Sequence, residues 1–215
     1  MRWLALLAFG LWVEHSVAGI AVVTHDRVPL RSAASPSAHV QATLLQGEAV
    51  EVRGERLDYL QVWDYQRERG GFVRASQVLR LDARAPHEIL AALRLAQALP
   101  ASEVLGIALA SAYLQGPAEG DMDSALEALD AIGSLAERLA RRNAPGTLEA
   151  AARYGVRFAS LERDGRVLAC YDGEAFRRVL ALPSTPPQRA RAALGLTRRE
   201  CTDGTLAPTA RAALD

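Results

Sequence analysis

The chain has 215 residues, of which 50% are hydrophobic, and its 25 basic and 25 acidic residues give a formal net charge of zero. This composition excludes a disordered chain, and the length allows one or two domains with a real hydrophobic core. The balanced charge argues against a nucleic-acid partner, because such binding needs an excess of positive charge on the binding domain.

The chain begins with the layout of a secretory leader. One arginine precedes the apolar residues 4–13, a stretch too short to span a bilayer comfortably, and the small residues Ser16 and Ala18 follow it. We therefore predict that residues 1–18 are a signal peptide cleaved after Ala18, with cleavage after Gly19 or an uncleaved anchor as alternatives. The protein is then periplasmic or secreted, and no stable membrane span is expected after cleavage.

Export places the two cysteines in an oxidising compartment. Cys170 and Cys201 are an even pair with two predicted helices between them, which favours a disulfide. In the chain-entropy model, closing such a loop is worth roughly 3–4 kcal/mol. Two separate buried thiols are the alternative, and neither cysteine has a Cys or His at the spacing of a zinc site.

Residues 20–81 carry the pattern of a small all-β domain. Short apolar or alternating runs are separated by turns rich in Gly, Pro or charged residues, which is typical of a barrel or sandwich. The predicted strands are 20–24, 28–32, 40–45, 49–53, 59–65, 71–73 and 78–79.

Five short motifs follow one another in this region. They are Leu30-Arg31-Ser32, a Gly47 turn before Val50-Glu51-Val52, Tyr59-Leu60-Gln61-Val62, Gly71-Phe72-Val73, and Ser76 with Leu79. Their order and spacing resemble a bacterial SH3 domain, although Val28-Pro29 stands where that family has Asn-Val and Tyr59 where it has Trp. The resemblance implies a small SH3-like β-barrel that serves envelope proteins as a targeting or interaction module, sometimes beside peptidoglycan hydrolases.

The strand 59–65 has two faces, because side chains alternate along a strand. Leu60 and Val62 are predicted to face the core. The opposite face and the next strand carry the candidate binding residues, which are Tyr59, Trp63, Tyr65 and Phe72. Flat aromatic rings there can stack on a sugar or a peptide. The alternative is that these rings pack against the helices that follow, since a two-domain chain buries surface at its junction.

From Pro86 the apolar residues recur at helical spacing, so residues 86–201 are predicted to form an all-α domain. Ser102 is predicted to cap a largely apolar, buried helix, and Ser124-x-x-Glu127 has the pattern of a capping box. Three further helices are predicted at 148–161, 174–182 and 188–196. Residues 202–215 are predicted to form a loosely ordered C-terminal tail.

Antiparallel helices joined by short loops indicate a helical-hairpin bundle. Tyr113, Gly116, Ala125 and Leu129 vaguely resemble the tetratricopeptide repeat, so repeat-like packing is the alternative. The predicted fold class is therefore α+β and multidomain: a small SH3-like β-barrel followed by an all-α helical-hairpin bundle.

The sequence contains no recognisable catalytic set. His25, His39 and His87 are not at metal-ligand spacing, and there is neither a nucleophile elbow nor a Gly-rich phosphate loop. We predict no catalytic residue, metal or cofactor, and expect an exported adaptor that binds an envelope protein or peptidoglycan. The alternatives are a cell-wall hydrolase, or hydrolase-associated protein, with its active site in the helical domain, and an assembly protein whose aromatic face is the domain interface.

Overall fold

The computed structural model describes residues 19–81, 84–116, 121–163, 165–197 and 201. Within these ranges the fold is mixed α/β, with an N-terminal antiparallel sheet of seven strands followed by helices and a two-stranded hairpin. The predicted signal peptide and C-terminal tail lie outside the described residues.

The seven strands lie close to the predicted ones. They are β1 (Gly19–Val23), β2 (Val28–Arg31), β3 (Val40–Leu44), β4 (Ala49–Arg56), β5 (Tyr59–Asp64), β6 (Arg69–Arg74) and β7 (Val78–Arg80). Their order across the sheet is β3-β2-β6-β5-β4-β1-β7, and all neighbours are antiparallel. Leu60 and Val62 of β5 join a buried cluster with Val73, Val52 and Leu30, so their predicted inward orientation is confirmed.

The predicted closed barrel is wrong, because β3 and β7 stand at opposite ends of an open sheet. Barrel closure would require hydrogen bonds between these two edge strands. Instead, β7 leads into the helical part within a few residues, and its Leu79 packs against the buried cluster of the helices. The apolar surface at this edge is therefore covered by helices rather than by another strand.

The second half of the chain contains six helices and one hairpin in its described ranges. These elements are α1 (Pro86–Ala98), α2 (Glu103–Gln115), α3 (Met122–Arg142), α4 (Pro145–Ala152), β8 (Phe158–Arg163), β9 (Arg166–Tyr171), α5 (Glu174–Ala181) and α6 (Pro186–Leu196). Helix α2 packs between α1 and α3, and α3 also contacts α5, α6 and β9. Most residues of α2 are buried, as its apolar sequence predicts.

The predicted all-α domain is wrong, because the segment expected to be a helix over 148–161 contains a strand. Helix α4 ends at Ala152, and Gly155 then adopts a φ of 79°, which suits glycine far better than other residues. Strand β8 follows and pairs with β9, with Phe158 opposite Tyr171. Pairing across the chain therefore overrides the local helical pattern of this segment.

Two predicted helix caps also differ from the structure. Helix α3 begins at Met122, and the Asp121 carboxylate accepts a hydrogen bond of 2.7 Å from the Ser124 N–H, so Asp121 caps the helix and Ser124 does not. Ser102 does occupy the N-cap position of α2. However, its hydroxyl donates to the Leu99 carbonyl at 2.8 Å, which satisfies the end of α1 instead.

The two cysteines are joined as the sequence predicts. The Cα atoms of Cys170 and Cys201 are 5.5 Å apart across a disulfide, and α5 and α6 lie between them in the chain. The bond links β9 to the residue that follows α6 by a few positions. The disulfide therefore closes a loop of the chain that contains α5 and α6 and begins at the hairpin strand β9.

Candidate binding surface

The open face of the sheet brings together part of the predicted aromatic set. Directly opposite residues of an antiparallel pair lie on the same face, and Trp63 of β5 stands opposite Glu51 of β4 and Gly70 of β6. Gln61 stands opposite Phe72 in the next row of this face. We call the group of Glu51, Arg53, Trp63, Tyr65 and Phe72 the aromatic face.

Trp63 is half-buried by its neighbours on the sheet. The guanidinium carbon of Arg53 lies 4.6 Å from the centre of the indole ring, a distance at which a cation and an aromatic face attract each other. Gly70 stands across the strand, and a Cβ atom there would come within 3.2 Å of the indole. The glycine thus leaves room for the ring, and the arginine covers it.

Glu51 holds the polar part of the aromatic face in place. One of its carboxylate oxygens accepts a hydrogen bond of 2.9 Å from Arg53 Nε and one of 2.9 Å from the Tyr65 hydroxyl. Tyr65 is 66% exposed, so its ring faces solvent while its hydroxyl is fixed. The hydrogen bond from Arg53, followed by that from Tyr65, lowers the pKa of Glu51 below its ordinary value of 4.5.

This geometry predicts an order of effects on the Glu51 pKa. Arg53→Ala is expected to raise it most, and Tyr65→Phe to raise it less, because the arginine is the larger cause of the shift. Because the folded-state pKa of Glu51 is depressed, its carboxylate stabilises the positions of Arg53 and Tyr65 fully at pH values above the ordinary pKa. This stabilisation is lost as pH falls through the lower, folded-state pKa. A carbon-detected NMR titration of the Glu51 carboxyl group measures both shifts. An unchanged pKa in Arg53→Ala would contradict the arrangement.

The structure removes Tyr59 from the exposed set. This residue is only 2% exposed, and the guanidinium of Arg74 lies 5.3 Å from the centre of its ring. Phe72 remains half-buried, with Arg31 and Gln61 as its neighbours across the two adjacent strands. Of the four predicted binding residues, Tyr65 is therefore well exposed, Trp63 and Phe72 are partly accessible, and Tyr59 is not accessible.

The junction between the sheet and the helices lies at the turn between β3 and β4. Gly47 has a φ of 82°, and a Cβ atom added there would overlap Val104 in the first turn of α2. The Tyr154 hydroxyl donates to the Gly47 carbonyl, and Arg153 donates to Glu48 at 2.9 Å. The sequence predicted this turn but not that it contacts the helices.

Glu48 is the centre of a charged network at this junction. Its carboxylate is 3% exposed and also receives hydrogen bonds of 3.1 Å from both terminal nitrogens of Arg67. Arg67 in turn donates to the buried Asp64 at 2.7 Å. These two carboxylates raise the pKa of Arg67, chiefly through the bond to Glu48. Two acidic and two basic side chains thus neutralise one another where the β3–β4 turn contacts the residue that follows α4.

The predicted aromatic residues do not form the described junction. Trp63, Tyr65 and Phe72 belong neither to the two buried clusters nor to the partly buried hydrophobic residues packed against them. The partly buried residues that pack on the helical cluster from the end of the sheet are Leu79 and Leu81.

Metal-ligand groups, membrane-spanning helices and similarity to known proteins would each indicate the kind of site. In the described ranges, no group of three or more His, Cys, Asp or Glu residues could hold a metal ion. No helix of the described chain is both long enough and apolar enough to cross a membrane. Comparisons with protein-family profiles, with curated proteins and with solved structures gave no match.

Proposed function

We propose that this chain is an exported, non-catalytic adaptor that binds a protein partner of the bacterial envelope through the aromatic face. The observation that carries the proposal is the fixed arrangement around Glu51. It holds an exposed tyrosine and a tryptophan–arginine pair side by side on an open sheet face. Side chains already held in place lose less conformational entropy on binding.

The residue types favour a protein over a glycan. Trp, Tyr and Arg are the residues that most often dominate the binding energy of protein interfaces. A sugar would stack best on an uncovered aromatic face, and Arg53 occupies one face of the Trp63 indole. Tyr65 keeps an exposed ring, so peptidoglycan is the second candidate ligand for the same surface.

Two further observations support the proposal. The motifs that resemble the bacterial SH3 family fall on or directly beside neighbouring strands, with Leu30 in β2, Tyr59 in β5 and Phe72 in β6. The disulfide between Cys170 and Cys201 is compatible with an oxidising compartment outside the cytoplasm. Both agree with an envelope protein, and the resemblance associates such a domain with targeting or interaction.

The proposal predicts that Trp63→Ala strongly lowers partner recovery. The immobilised protein, produced from the complete sequence, is incubated with envelope extract and, in parallel, with purified peptidoglycan sacculi. Truncating a hot-spot residue costs at least ~2 kcal/mol, so the affinity for the partner should fall about 30-fold. Leu95→Ala is the matched control, because this exposed apolar side chain lies on α1.

The outcomes separate the candidate functions. Loss of a specific extract protein in Trp63→Ala, with recovery by Leu95→Ala, supports the adaptor. Recovery on sacculi alone, lost in the same variant, replaces the protein partner with peptidoglycan. Equal recovery by all three proteins overturns the binding surface. Clearing of peptidoglycan in a zymogram overturns the non-catalytic assignment and favours a hydrolase.

A further inference from the structure

A second concave surface lies between the sheet and the helices. It is a cleft of about 760 Å³, lined by β1 and the start of β4 on one side and by α1, α2 and the end of α4 on the other. Pockets that bury a small ligand have volumes of roughly 300–1,000 Å³. The cleft has one edge near the aromatic face, because Ile20 in its wall stands opposite Glu51 in the sheet.

Most of the cleft wall is apolar. Ile20, Val22 and Ala49 line it from the sheet, and Ile89 and Ala112 line it from the helices. Ile20 is 56% exposed even though β1 is an inner strand of the sheet. Such an accessible apolar wall gains free energy when a hydrocarbon group removes it from water.

The charged groups of the lining are both cationic. They are Arg84, between β7 and α1, and Arg153, after α4. Among the described residues, Arg84 pairs with Glu88 at the long distance of 3.8 Å, and both side chains are well exposed, which makes this pair weak. Arg153 donates to Glu48 through one terminal nitrogen, while its other terminal nitrogen is 4.0 Å from the exposed Glu149.

Uncharged polar groups complete the lining. Ser111 and Gln115 of α2 lie on the same wall as Ala112, and Tyr154 stands beside Arg153. Burial raises the pKa of the Tyr154 hydroxyl to about 12, and this hydroxyl donates to the Gly47 carbonyl.

We propose that this cleft binds a fatty carboxylate, with the hydrocarbon chain along the Ile20–Ala112 walls and the carboxylate at Arg84. Arginine matches a carboxylate well, because its planar fork of N–H groups can donate two parallel hydrogen bonds. The described lining contains two arginines and no acidic side chain. Glu48 already pairs with Arg153, so Arg84 is the cation that an anionic head group complements. This site is separate from the proposed adaptor function and does not depend on it.

The test is a fluorescence titration of the purified protein, produced from the complete sequence, with a dansyl-labelled undecanoic acid. We expect the probe to bind saturably, and unlabelled dodecanoate to displace it. Ala112→Phe fills the cleft, and Ile20→Glu places a carboxylate in its wall at an exposed position. Each should weaken binding about ten-fold or more. Because Ile20 is already exposed, its variant keeps the test valid if the larger side chain on α2 disturbs folding.

Three controls make the outcome decisive. Arg84→Gln should weaken displacement by dodecanoate and leave displacement by dodecanol unchanged. Leu95→Ala and Trp63→Ala should bind the probe as the unaltered protein does, since neither residue lines the cleft. The absence of saturable binding overturns the proposal, as does unchanged binding by Ile20→Glu. Dodecanol displacing the probe as well as dodecanoate overturns the assignment of a carboxylate head.

Discussion

Replacing Glu48 by alanine is expected to lower the free energy of unfolding by about 3 kcal/mol. Removing one partner of a buried ion pair typically costs ~3–5 kcal/mol, because the opposite charge is left unpaired. Both oxygens of Glu48 are occupied, by Arg67, by Arg153 and by the Leu45 N–H. The lower end of the range applies because the side chains of Arg67 and Arg153 are 31% and 29% exposed, and can reach water.

Glu149→Ala is the matched control for this prediction. Glu149 also approaches Arg153, at 4.0 Å, but it is highly exposed. Its removal should change the free energy of unfolding by less than about 0.5 kcal/mol. Urea unfolding monitored by circular dichroism measures both variants, and a double-mutant cycle with Arg153→Ala isolates the contact between sheet and helix. A Glu48→Ala protein within about 0.5 kcal/mol of the unaltered chain would contradict the network.

Phe176→Ala is expected to cost about 3–5 kcal/mol, the range for truncating a buried aromatic side chain. The ring of Phe176 lies between two glycines on different helices, Gly133 of α3 and Gly195 of α6. It also makes an edge contact with Tyr171 of β9, at 5.9 Å between ring centres. One side chain therefore connects α5 to α3, α6 and the hairpin, and its loss leaves a cavity where they meet.

A second substitution, Gly195→Ala, tests this packing, because its effect on stability should change sign between two backgrounds. Gly195→Ala alone should destabilise the protein, because the new methyl group overlaps the Phe176 ring. In the Phe176→Ala background the ring is gone, and alanine is favoured over glycine in a helix by about 1 kcal/mol. Gly195→Ala should then be neutral or stabilising. Thermal unfolding of the four proteins measures this, and the same destabilisation in both backgrounds would exclude the predicted contact.

The strands of the N-terminal sheet were predictable because their signals are local. Alternating residues such as Ala49 to Arg53 and apolar runs such as Ile20 to Thr24 lie between turn residues, and the turn at Gly47 has the positive φ that glycine permits. The closure of the sheet was not predictable in this way. It depends on what covers the edge at β7, and Leu79 gives no local sign that it packs on helices.

The hairpin β8–β9 shows a different reason for failure. The sequence has an Asp164-Gly165 pair between apolar runs, and such a pair is a strong hairpin signal. The alanine-rich start of the preceding segment, however, favours a helix, and α4 does form there. Where the helix stops depends on Gly155 and on pairing with β9, which is contact between distant parts of the fold.

The candidate surface was predictable only in outline. Alternation along β5 correctly separated Leu60 and Val62 from the face with Trp63. It could not reveal that Arg74 lies against Tyr59, since that contact comes from the opposite strand. It also missed Glu51, whose carboxylate accepts hydrogen bonds from Arg53 on its own strand and from Tyr65, which follows the neighbouring strand β5.

The central claim is that a protein partner contacts the aromatic face, and site-specific photo-crosslinking in living cells tests it most directly. A photo-reactive amino acid is placed at position 65, where Tyr65 is exposed beside Trp63, and in a second strain at position 95 on α1. We predict one discrete cross-linked adduct from position 65, lost when Trp63→Ala is added, and none from position 95. Adducts from position 95 alone, or an adduct from position 65 that survives Trp63→Ala unchanged, would contradict the account.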